Sequence, residues 1–152
     1  VSYTTTEGRE QLLGEIGKSA DILALALASL SEAYEQLDEH SAEELERDVF
    51  RPVQLAYGRV RRSHTEFAKR HDLQGRAFET AARAAPSHGA KELVESAAQA
   101  VSRADATLAT LQDSMLPVEV GDPELRASLE EVRMLLADVG PRARALVRRF
   151  GR

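Results

Sequence analysis

Between Leu12 and Leu37, small or apolar residues recur at Leu12, Ile16, Ser19, Leu23, Ala26, Leu30, Ala33 and Leu37, in alternating steps of four and three. That spacing keeps one face of a helix against a partner helix. The rhythm returns near the other end of the chain through Leu125, Leu129, Val132, Leu136, Val139, Ala143, Leu146 and Phe150. Two further stripes lie between them: Leu45, Val49, Val53, Ala56, Val60, His64 and Phe67, then Leu93, Ala97, Val101, Ala104, Leu108, Leu111 and Met115. Long amphipathic helices with mostly short connections predict an all-α fold, an antiparallel up-down-up-down four-helix bundle in a single domain over residues 1–152. No repeat at a period of about 20 to 50 residues is present, which disfavours a solenoid.

The polar residues punctuate these stripes. Val1 to Thr6 reads as a frayed lead-in, with Thr5 or Thr6 available to cap the first helix, which should run to about Asp38. Gly14 and Gly17 suggest the close approach of a neighbour. Ser41 with Glu44 forms a capping box that would start the second helix after a break at Glu39 and His40. Pro52 should kink that helix. It can continue past Gly75 through Phe78 to Ala85, or split near Gly75 to give five helices in all. Pro86 to Gly89 is a turn, and the third helix should stop before Pro117. Pro117 to Gly121 reads as a loop. Asp122 then caps a fourth helix with Pro123 at its first position, and Gly140 with Pro141 predicts a kink rather than an end.

Composition removes several chemistries. The chain has no cysteine, so disulfides, thiolate metal sites and cysteine nucleophiles are excluded. A formal net charge of −5 argues against a protein built mainly to coat nucleic acid. Ile22 to Leu30, the longest apolar run, falls short of the roughly 20 residues of a spanning helix, and no transmembrane segment is expected. Basic residues are absent from the first seventeen positions apart from Arg9, with no apolar core after them as a secretory leader requires. The excess of arginine over lysine reads as the coding bias of a GC-rich bacterial genome, and the expected location is cytoplasmic.

Candidate chemistry is sparse. His40 with Glu44, and His88 with Glu92, have the spacing of two ligands on one helical face. In an up-down-up-down bundle they would lie at opposite ends, so no metal site is expected. None of the four histidines has a glutamate three positions before it, as di-iron carboxylate bundles require. No phosphate loop or strained serine turn occurs, no catalytic residue is assigned, and no cofactor is expected. His64, Phe67 and His71 share a helix and form the candidate for an interior ligand or metal site.

Charge is segregated along the chain. Ser31 to Arg51 holds eight acidic residues and two arginines. Arg76, Arg83, Lys91, Arg142, Arg144, Arg148, Arg149 and Arg152 are expected at the opposite end, making the molecule an electric dipole. Arg142, Arg144, Arg148 and Arg149 are the candidate anion site, for nucleic acid, acidic lipid or a phosphorylated ligand. Cations in a last helical turn also complement its carbonyl end without any ligand. A second basic cluster, Arg59, Arg61, Arg62, Lys69 and Arg70, points several ways around its helix.

Leu25 and Leu27 broaden the first apolar stripe, and Met134 to Leu136 broaden the last. Helices apolar on more than one face point to a homo-oligomer or a partner protein. The expected function is therefore a non-enzymatic bundle acting by association. Anion binding at the arginine-rich end and a ligand near His64 stand as alternatives.

Overall fold

A computed structural model describes residues 2–79 and 88–150. All regular structure among them is helical: α1 (Ser2–Gln36), α2 (Glu39–Leu45), a π turn (Glu46–Phe50), α3 (Arg51–Arg70), α4 (Ala90–Asp113), α5 (Leu116–Glu119), α6 (Pro123–Leu136) and α7 (Val139–Arg149). The four stripes read from the sequence form the core. Leu12, Ile16, Leu23, Leu30, Val49, Val53, Phe67, Leu108, Leu129 and Leu146 are all buried, in one cluster drawn from every long helix. No helix among the described residues is long and apolar enough to cross a membrane.

Local chemistry explains the helix limits, some of them differently from the expectation. Helix α1 is already formed at Ser2, before the threonines expected to cap it. Asp38, not Ser41, caps α2: its carboxylate accepts the Ser41 N–H at 2.8 Å. Pro52 lacks an N–H and its ring would press on the carbonyl four residues back. The π turn just ahead absorbs this, with the Arg51 N–H donating five residues back to the Glu46 carbonyl. The buried face still runs unbroken through Leu45, Val49 and Val53.

Helix α3 ends at Arg70 rather than continuing past Gly75, because Asp72 adopts a left-handed conformation (φ 54°). Leu73 to Glu79 is irregular, and residues 80–85 of the expected extension lie outside the described residues. At the other limit, Met115 is exposed, also left-handed (φ 68°), and leads into the single turn of α5 where a loop was expected. Gly121 is obligatory at the next bend, since a Cβ there would stand 2.2 Å from the Pro117 carbonyl oxygen. Asp122 caps α6 as expected, accepting the Leu125 N–H at 2.8 Å. Pro141 ends α6 rather than kinking it: α6 stops at Leu136 and α7 restarts at Val139. The apolar face crosses that gap in register.

Helix α1 packs most extensively on α4, and also on α3; α3 packs on α6, and α4 on α7. Buried alanines on both sides of the first pair, including Ala20, Ala24, Ala97 and Ala104, allow a close approach. The end contacts give the helix directions. The Gln36 side chain at the end of α1 donates to the His88 carbonyl just before α4, at 2.8 Å. Arg70 at the end of α3 reaches Asp122 at the start of α6. Arg149 at the end of α7 pairs with Glu44 in α2. Helices α3 and α4 therefore run the same way, and the directions are up, down, down, up rather than alternating. Helix α4 therefore starts at the end where α1 finished, opposite the end of α3 at Arg70, an arrangement that the expected helical extension through Ala85 had obscured.

Candidate functional site

This order of directions brings the two charged regions together. Helix α7 climbs back to the end that holds the α1–α2 turn, so its arginines meet the acidic cluster instead of facing away from it. Arg149 pairs with Glu44, whose carboxylate also lies 2.8 Å from His40 Nε2. Asp48 is held below the usual carboxylate range by the hydrogen bond from Arg47, against the effect of burial, with Arg142 and Arg149 adding to the attraction. Arg142 lies 3.8 Å from Asp138, and the Arg144 guanidinium stands over Gly140. Arg144 and Arg148 border a shallow groove with Glu95. Among the described residues the expected separation of acidic and basic ends is thus not found, and Arg149 and Arg142 of the candidate anion site are partly neutralised by Glu44 and Asp138 of their own chain. Lys91 too lies at this end, while Arg76 pairs with Asp21 in the middle of α1. Arg83 and Arg152 lie outside the described residues.

The same geometry corrects the placement of the histidines. His40 and His88 stand at one end of the molecule, not at opposite ends. Even so, the described residues contain no group of three or more histidine or acidic side chains arranged to hold a metal ion.

The interior trio is divided among different neighbours. Phe67 is fully buried in the core. The His71 ring lies tilted against Phe67, with centroids 4.6 Å apart, but turns its Nε2 to the Asp122 carboxylate at 2.7 Å, so that this nitrogen carries a hydrogen and donates. His64 is 3% exposed and faces α1, where its Nε2 lies 3.5 Å from the position of a Cβ on Gly17. The close approach expected at Gly17 is found there. Gly14 faces open space, and on α1 Gly8 is a further tight position, against Val120. The His64 Nδ1 is buried with no hydrogen-bond partner. Burial lowers its pKa, Arg76 lowers it further, and Asp21 opposes them.

The segment after α3 forms a lid over this histidine that helical periodicity did not reveal. Arg76 donates to both oxygens of Asp21, at 3.0 and 2.8 Å, and its guanidinium lies 4.2 Å from the centre of the Phe78 ring. Phe78 in turn meets His64 edge to face, with centroids 4.9 Å apart. Gly75 was the available signal, as a weak point for the helix. Which residues followed it onto α1 depended on the chain direction.

A second feature lies on the seam between α3 and α6. Ser63 and Ser128 share a hydrogen bond, and Arg59 pairs with Glu131 at 2.8 Å. Met134 and Leu135 border the Arg59–Glu131 pair on α6, and Leu55 lies one turn before Arg59 on α3. Leu55 is 55% and Met134 69% exposed, and Leu135 is half-buried. On α1 the broad face has largely been absorbed: Leu27 is half-buried against the core and Leu25 alone of the pair is exposed. Comparison with protein-family models, curated proteins and solved structures found no match to this chain.

Proposed function

We propose that the protein is a non-enzymatic helical bundle that works by association, as a dimer of identical chains joined through the α3–α6 seam. In this bundle α2 with α3, and α6 with α7, each act as one long interrupted helix beside α1 and α4. The observation that carries the reading is the exposure of Leu55 on α3 and of Met134 on α6, with Met134 and Leu135 bordering the Arg59–Glu131 pair between the two helices. An apolar centre with a charged rim is the usual anatomy of a protein interface. Two-fold symmetry suits this seam in particular, because the cation on α3 and the carboxylate on α6 can be exchanged reciprocally between copies.

Sedimentation of the unaltered chain and of Met134→Glu tests the proposal. A dimer that becomes a monomer on substitution is expected, since a carboxylate would be buried unpaired at the seam. A dimer unaffected by Met134→Glu and by Leu55→Glu would place the interface elsewhere and overturn this reading.

A further inference from the structure

The basic residues of α3 do not simply scatter around the helix. Arg59 and Arg70 are engaged on the α6 side, by Glu131 and Asp122. Arg61, Arg62 and Lys69 instead lie at helical spacing with Gly58 and Thr65 on another face, and together they line a groove of about 640 Å³ closed on its far side by Arg76, Ala77 and Phe78. All three cations are exposed, and none makes an ion pair among the described residues. Glu66 is the one carboxylate in the lining, and Arg76 is already neutralised by Asp21. The groove therefore carries an uncompensated positive charge in a chain whose formal net charge is −5.

The groove floor supplies a second, independent observation. Gly58 sits in the middle of α3, and a Cβ there would meet nothing within 4 Å. A glycine inside a helix costs about 1 kcal/mol relative to alanine, and packing in the free protein does not require this one. Close approach of a ligand to the backbone is a use for such a position. The walls are also preorganised. Arg61 is held over Tyr57, 4.6 Å from its ring centre, and the opposite wall is pinned by the Arg76–Asp21 pair and by Phe78 on His64.

We propose that this groove binds a small molecule carrying two or more phosphate groups. Two guanidinium forks and an ammonium match phosphate oxygens. From Arg61 to Lys69 the helix advances about 12 Å, the reach of a short phosphate chain. Single-stranded nucleic acid fits less well, because it needs free aromatic faces for its bases. Here Tyr57 is covered by Arg61, and Phe78 is taken up by Arg76 and His64.

Calorimetric titration of the full chain with inorganic tripolyphosphate tests this site. One-to-one binding is expected, weakened at least tenfold in Arg62→Ala/Lys69→Ala and in Gly58→Leu. Unchanged binding is expected in Arg148→Ala/Arg149→Ala, which removes the same charge elsewhere. Gly58→Leu keeps every charge and favours the helix, so an unlowered melting temperature in that variant separates a blocked groove from a damaged fold. No saturable binding, or equal weakening in the two double variants, would overturn the assignment. Tighter binding of a single-stranded oligonucleotide, lost in the groove variants, would replace the small ligand with a polymer and equally overturn it.

Discussion

Arg70, the last residue of α3, donates through Nε and Nη2 to the two oxygens of Asp122, at 2.8 and 2.9 Å, and so joins the end of one helix to the cap of another. Burial alone would raise the Asp122 pKa. The hydrogen bonds from Arg70, from the Leu125 N–H and from His71 overcome that and hold it at about 2. The carboxyl titrates lower in the folded chain than in the unfolded one, so its contribution is present above about pH 4 and is lost as pH falls toward 2. Asp122→Ala removes both the cap and the pair. A loss of about 3 kcal/mol is expected, read as a melting temperature lower by about 6 to 12 °C at neutral pH. The difference between the two proteins should shrink in acid, and a constant difference down to pH 2 would contradict this role.

His64 gives a second pH dependence in a different window. Its folded pKa is lowered, chiefly by burial, so its neutral form is favoured in the folded chain. Stability tied to this group is complete above the unfolded value of 6.5 and falls as pH drops through the folded value. Urea midpoints of His64→Leu should decline less than those of the unaltered chain as pH is lowered from neutrality. Parallel declines would show that the imidazole is not the titrating group.

Three helical or near-helical glycines should respond differently to alanine. Gly14→Ala is expected to stabilise by about 1 kcal/mol, since its Cβ would enter open space in α1. Gly17→Ala should gain less, because Arg76 stands 3.3 Å from the new Cβ and is tied to Asp21. Gly121→Ala should destabilise, as the Pro117 backbone would have to move. Thermal denaturation of the three variants checks the order.

The stripes were legible because burial repeats with the helix: Leu12 through Ala33, Leu45 through Phe67, Leu93 through Leu111 and Leu125 through Leu146 lie in the core. Asp122 followed by Pro123 was legible for an equally local reason, as a side chain that caps beside a residue that needs no N–H. Helix direction was not, because periodicity says which face is buried and nothing about which way the axis points. One consequence reached the candidate site. With α3 and α4 assumed antiparallel, Arg148 and Arg149 were placed far from Glu44, whereas Arg149 pairs with it.

The groove on α3 was hidden by the same limit. Arg59, Arg61, Arg62, Lys69 and Arg70 do point several ways, but the partners that divide them into engaged and unengaged sets come from α6, more than fifty residues later. Its opposite wall, Arg76 to Phe78, is irregular and carries no periodic signal. Gly58 was the local clue, a helix-interior glycine whose meaning depends on the empty space above it.

The solution mass of the unaltered chain, measured by light scattering at low and at high salt, tests association through the α3–α6 seam most directly. Burial of Leu55, Met134 and Leu135 predicts a dimer at both, because salt screens charges and leaves apolar contacts in place. A monomer at both, or assembly at low salt alone, would contradict it.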